Sequence, residues 1–409
     1  MAHLVPVSFA VVEPGWAERV VSPPHDALTP TERWAHLRAN PHSYLGVTRS
    51  VDDLAPGDRS SAAEVLERCR ASLEVLRSVG AFGPQARPGL ALYRLSRGGH
   101  SQIGVVGATT VADHTDRSIR VHEAVHAARA AALADHVSLL RVQSSPIALA
   151  RRPDPAPDAV VAEAEAAADP MVDLRTPDGL HQQVRPVLDP DLGAALAAGL
   201  ERHPFYVIDG HHRAEAARLL READRSPGAG LVLSVVFPSD QLVNRSFPRC
   251  LLQVDPHHLL DELGRRFRVR AATAAEVARR PAGDLALLAA GGWHLVTVPP
   301  ADGDWPTGYR RLDAVRLQHR VLGPVLGIDP SDPAGRLSYL PPGDATDDRT
   351  GLEALAGRGA GEGCGAVWVL RPVPVPVLLD VADAGLVLPP KSTYFEPKVR
   401  SGVFLRDLG

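Results

Sequence analysis

Asp209-Gly210-His211-His212-Arg213 follows directly on the apolar run Phe205-Tyr206-Val207-Ile208 and precedes a helical pattern over Ala214–Ala223. A buried strand that ends in Asp-Gly and opens into a helix suits an anion. The first amides of a helix lack intrahelical acceptors, and the aligned peptide dipoles add partial positive charge there. Gly210 lets the backbone turn sharply beside a ligand. Arg213 brings a guanidinium fork suited to phosphate oxygens, and the two histidines bring further donors. Asp209 does not suit direct contact with phosphate, but its carboxylate fits a helix cap or a Mg²⁺ ion that bridges phosphates. The structural alternative is that Asp209 only caps the helix and the histidines are surface residues. His211 and His212 alone do not make a metal site, because adjacent helical residues point in different directions.

A second group of chemically capable residues is Val121-His122-Glu123-Ala124-Val125-His126. It matches His-Glu-x-x-His, which on a helix puts two histidines on one face for zinc. A zinc peptidase also needs a third ligand. The following residues, Ala127-Ala128-Arg129-Ala130-Ala131-Ala132, and the stretch 143–150 offer none at the usual intervals, so the peptidase is the weakest reading. The other role for Glu123 is a carboxylate at a helix start that takes a proton from a substrate hydroxyl.

The elements that must position these groups follow from periodicity. Residues 1 to about 50 read as a short strand, a turn at Ser22-Pro23-Pro24-His25-Asp26 and a helix opened by Thr29-Pro30-Thr31-Glu32. An amphipathic helix is expected over 60–80, and strands over Leu90–Leu95 and Ile103–Val111. A helix over about 123–141 and a strand at Ser145–Leu149 come next, then an Ala/Glu helix to about 168. A turn at Pro177-Asp178-Gly179, an Ala-rich helix near 190–200 and a buried strand at Leu231–Phe237 complete the middle of the chain. Beyond about 260, helices and strands alternate as far as Leu388-Pro389-Pro390-Lys391-Ser392-Thr393-Tyr394-Phe395-Glu396-Pro397-Lys398.

The 409 residues exceed one ordinary core, so two or three packed units are expected. Forty-four basic and 48 acidic residues are interspersed, for a net charge of −4, with no Lys/Arg run to follow a nucleic-acid backbone. No nucleic-acid partner is therefore expected. The start reads as no secretory leader, and no window approaches a membrane span. Cys69, Cys250 and Cys364 are far apart and odd in number. They predict single thiols, neither a zinc site nor a disulfide framework, which fits a reducing cytoplasm.

Taken in order, Ser22-Pro23-Pro24-His25-Asp26, His122-Glu123, Ser145-Pro146-Ile147, Ile208–Arg213 and Pro389–Lys398 resemble a widespread bacterial family of conserved domains of unknown function. That family is related to the archaeal free serine kinase (SerK) and to the free serine kinase of siderophore synthesis, in the ParB/sulfiredoxin-like superfamily. The resemblance implies an α/β fold of the α+β type. It implies an N-terminal α/β region over 1–115, a ParB/sulfiredoxin-like nucleotide-binding core over 116–258 and a C-terminal α/β region over 259–409.

It also implies a small-molecule kinase acting on the hydroxyl of free L-serine or a similar metabolite, with ATP or ADP and Mg²⁺. Glu123 would be the base and Asp209, Gly210, His211, His212 and Arg213 the phosphate site. His122, Asp26, Lys391 and Ser392 would be further substrate or phosphate contacts, Pro389–Lys398 being equally readable as a structural clasp. The chain departs from the family at His25, at Asp135-His136 and at Phe247-Pro248-Arg249-Cys250, which points to a different acceptor or to lost turnover. The rival function is a non-catalytic, or CTP- or ATP-hydrolysing, nucleotide-dependent regulator.

Overall fold

Runs of β-branched and aromatic residues pair into mixed sheets covered by helices, so the chain is an α/β protein. The computed structural model describes residues 1–25, 28–55, 57–85, 87–329, 335–342 and 349–409. Asp26 lies outside the described residues. Contacts divide the chain into two units, one formed by 1–121, 125–242 and 397–409, the other by 122–124 and 243–396.

The first unit is built on an eight-stranded sheet. Its order is Ile119–Arg120, Phe205–Asp209, Ile147–Arg151, Leu231–Pro238, His100–Thr110, Leu90–Arg97, His181–Val187, Val172–Arg175. Ile119–Arg120 runs parallel to Phe205–Tyr206, and Ile147–Arg151 runs parallel to 234–238; the other neighbours are antiparallel. Alternation along the strands sends Leu92, Val105, Leu149, Phe205, Val207 and Val236 to one face, where they form a continuous core. Tyr93, Val106, Val235 and Phe237 are buried as well. Burial on both faces explains why these strands read as unbroken apolar runs in the sequence.

Most expected elements form close to their predicted places. The helix expected over 60–80 spans Ala62–Ser78, with a Ser61/Glu64 capping box. The hairpin of Val172–Arg175 and His181–Val187 was legible only as its turn. The helix expected from about 123 starts later, at Ala127, with His126 as its N-cap.

The second unit carries a six-stranded antiparallel sheet in the order Arg268–Ala272, Gly292–Thr297, Asp284–Ala289, Ala366–Val369, Arg249–Leu251, Leu337–Tyr339. One face packs Leu285, Leu287, Val296 and Trp368; the other packs Ala286, Leu295, Val367 and Val369. Val243–Arg245 and Tyr394–Glu396 form a separate antiparallel ribbon.

The reading of the cysteines as single thiols is corrected for two of the three. Cys250 and Cys364 form a disulfide, with Cα atoms 5.4 Å apart, while Cys69 is a free, buried thiol. Pairing of Arg249–Leu251 with Ala366–Trp368 sets Cys250 opposite Val367 and so brings Cys364 near. A sequence separation of 114 hides that juxtaposition. Among the described residues, no helix is long and apolar enough to cross a membrane.

Candidate functional site

The strand Phe205–Asp209 delivers its last residue to a turn made by Gly210, whose φ of +98° puts it in the region that favours glycine. The helix His211–Ala223 begins at once, three residues before the predicted Ala214. Gly210 is its N-cap, and no side chain caps it. Asp209 therefore does not cap the helix, which corrects one of its two expected roles.

Instead, Asp209 bridges two cations. One carboxylate oxygen pairs with Arg213 one turn on, and the other lies 2.7 Å from Lys398 Nζ. Burial pushes the carboxyl up, but the charges of Lys398 and Arg213 outweigh it and hold the group well below the usual carboxylate range. With both oxygens so engaged, Asp209 is a strut between cations and not an open Mg²⁺ ligand.

Arg213 is also committed. Its Nη1 donates to the carbonyls of Ser145 (2.8 Å) and Pro146 (2.6 Å), and its Nη2 pairs with Asp209. The fork expected to grip phosphate thus ties the first turn of the helix to the segment entering the Ile147–Arg151 strand. This gives Ser145-Pro146-Ile147 a physical role, as the acceptor for that tie.

The two histidines differ. His211 is buried, and burial is the main reason that its pKa falls to about 4, so it is neutral at pH 7. His114, half-buried in the Val111–Thr115 helix, is likewise lowered to about 4 by desolvation. His212 faces outward, its Nε2 accepting from the His126 amide at 3.2 Å and its ring stacking on that of His126, with centroids 6.1 Å apart. The structural alternative, in which both histidines are surface residues, fails for His211.

His122 and Glu123 are assigned to the second unit. The segment 121–126 carries no helix. Glu123 bridges to Leu388, whose amide donates to the His122 carbonyl at 2.8 Å. The one-face helical geometry required of His-Glu-x-x-His in a zinc peptidase is therefore missing, and that reading is overturned. Glu123 also sits four residues before the helix rather than at its start.

His122 Nε2 lies 3.2 Å from Thr393 Oγ1, tying this segment to the terminal block. Arg249 is buried near them. Its guanidinium donates to the carbonyls of Phe247 and Pro390 (3.0 Å) and reaches Ser392 Oγ at 3.5 Å. Burial lowers its pKa to about 10, opposed by the charges of Tyr339 and Glu123, so a cation stands within electrostatic reach of the Glu123 carboxylate.

Lys391 lies over the Phe247 ring, 5.0 Å from its centroid, and the Ser392 hydroxyl donates to the Pro389 carbonyl at 2.6 Å. These contacts fit the reading of 389–393 as a structural clasp. The departures are also structural. His136 donates to the Val47 carbonyl at 2.7 Å, and His25 Nε2 lies 3.2 Å from Asp53 Oδ2.

Sequence reasoning missed Arg249, Thr393 and the pairing of Lys398 with Asp209. Each lies within a block singled out in the sequence, but its partner is more than 120 positions away.

Residues 7–315 match the family described as "Protein of unknown function (DUF1015)". The chain belongs to the DUF1015 family. The expected membership of a bacterial family of unknown function is met. No curated protein matches the sequence. Among solved structures, the chain is similar to a glutamate-to-glutamine mutant of a free serine kinase in complex with AMP. The two are 14% identical, with a TM-score of 0.39, covering 73% of this chain and 91% of that one. A conserved hypothetical protein from Pyrococcus furiosus is 14% identical, with a TM-score of 0.39, over 74% and 95% of the two chains. SbnI with C-terminal truncation from Staphylococcus aureus is 12% identical, with a TM-score of 0.37, over 71% and 82%.

Proposed function

We propose that this DUF1015 protein is a small-molecule kinase that transfers the terminal phosphoryl group of ATP or ADP to the hydroxyl of free L-serine or a similar metabolite. The observation that carries the reading is the turn at Gly210. Its positive φ starts a 13-residue helix directly at the end of a buried strand, with no side-chain hydrogen bond capping the helix end. Backbone donors and the helix dipole at such an end favour a phosphate. His211, His212 and Arg213 occupy the first turn, and Lys398 adds a cation held through Asp209.

In this reading His211, Arg213 and Asp209 shape the loop rather than exchange protons. Arg213 braces it against 145–146, and Asp209 sets Lys398 and Arg213 in place. Mg²⁺ brought by the nucleotide would supply neutralisation of the phosphate charge. Glu123 is the proposed base, taking the acceptor's hydroxyl proton. Phosphoryl transfer needs little from the protein beyond positioning and charge stabilisation, so one base and one anion cradle suffice.

The test is incubation of the purified full chain with ATP or ADP, Mg²⁺ and L-serine, with phosphoserine measured by mass spectrometry. Glu123→Gln is expected to lower turnover by about 100-fold or more, the usual worth of a general base, with nucleotide affinity nearly unchanged. Tight nucleotide binding with no phosphorylated product from serine or related hydroxylated metabolites would favour the regulatory reading. Absence of binding by any of ATP, ADP and CTP would end both.

A further inference from the structure

A second place in the first unit carries uncompensated positive charge. Between the helix Pro30–Ala39 and residues 49–55 and 57–58 lies a cleft of about 220 Å³, lined by Trp34, Leu37, Leu54 and Ala55 together with Arg38 and Arg49. Trp34, Leu37 and Arg38 share one helical face because they are three and four positions apart.

Two acids also line it, and both are spent elsewhere. Asp53 is buried and accepts from Arg33, from His25 Nε2 at 3.2 Å and from the Ser50 amide at 2.8 Å. Asp58 pairs with Arg68 at 2.9 Å and accepts from the Ser60 amide at 2.9 Å.

The arginines are not balanced in this way. Arg38 is exposed and lies over the Trp34 ring, 5.0 Å from its centroid, with no ion pair among the described residues. Arg49 has a buried Nε with no hydrogen-bond partner, and no described residue accepts from its guanidinium. A half-buried guanidinium without an acceptor is costly unless an anion supplies one.

We propose that this cleft binds a small organic anion. Its carboxylate or phosphate head would pair with Arg49 and Arg38, and its flat apolar body would lie against Trp34, Leu37 and Leu54. The volume falls below the roughly 300–1,000 Å³ of drug-sized sites, so the ligand is the size of a small metabolite. The apolar side chains of Trp34, Leu37, Leu54 and Ala55 favour an organic body over a bare inorganic ion. The site is independent of the Asp209–Arg213 loop and of the kinase reading.

Calorimetric titration of the full chain with benzoate and with phenyl phosphate tests it, the two probes separating a carboxylate head from a phosphate head. Saturable one-to-one binding is expected for at least one probe. Arg49→Met should weaken it about tenfold or more, equivalent to about 1.4 kcal/mol. Trp34→Leu should also weaken it, and Gly210→Ala should leave it unchanged. Arg38→Gln provides a second charge variant if Arg49→Met does not fold. Failure of both probes to bind saturably at millimolar concentration would overturn the proposal. So would equal affinity in all the folded cleft variants, or binding abolished by Gly210→Ala alone.

Discussion

Asp209, Arg213 and Lys398 form an ion-pair network that holds a turn in place, while His211 and His114 carry no charge at pH 7. Those histidines make the fold acid-sensitive in a defined window. His114 and His211 titrate near 4 in the folded chain, below the ordinary value of 6.5, because burial penalises the imidazolium. An unfolded chain takes up these protons as pH falls through about 6.5, whereas the folded chain resists until about 4. Their contribution to stability is therefore fully present above about 6.5 and lost between about 6.5 and 4. Urea midpoints measured at pH 7 and pH 5 should show the drop. His211→Gln should flatten that slope even if it lowers stability at pH 7.

At the scale of the element, the strand–turn–helix depends on one backbone conformation. The φ of +98° at Gly210 is one that L side chains rarely adopt, and a Cβ there would meet the Arg213 guanidinium at 3.0 Å. Gly210→Ala should therefore destabilise the protein by about 1–3 kcal/mol, and it should weaken nucleotide binding by more than the fall in stability accounts for. Chemical denaturation and nucleotide titration of the same variant separate the two effects. A variant as stable as the parent would mean that the turn carries no strain. The same scale explains the failed zinc pattern. His-Glu-x-x-His binds metal only when a helix stacks its histidines, and here the helix waits until Ala127.

Across the whole chain, segments far apart in sequence share a unit, as 397–409 does with 1–121. The disulfide between Cys250 and Cys364 works within the other unit, closing a loop with a sequence separation of 114. Closing so long a loop removes freedom from the unfolded chain, for roughly 2–4 kcal/mol of stability. Cys250→Ser with Cys364→Ser, or reduction by a dithiol, should lower Tm. Cys69→Ser should leave the response to reductant intact, because Cys69 is a separate buried thiol. A melting curve identical with and without reductant, in a chain shown to be oxidised by thiol counting, would remove the disulfide from the account of stability.

What the sequence determined by itself was local. Apolar runs named the buried strands, Thr29-Pro30 named the helix start near Pro30, periodicity named the helix over 60–80, and Asp209-Gly210 before a helix named the turn, because each of these rests on neighbours within a few positions. Family membership was legible too, since ordered short blocks survive where overall identity does not. The partners of Asp209, the clasp made by Arg249 with Pro390 and Ser392, the neutral state of His211 and the disulfide were decided only by tertiary structure. Each joins residues, or buries a group, through strands that meet after distant parts of the chain have folded together. No local pattern encodes the desolvation or the charge that a group meets there.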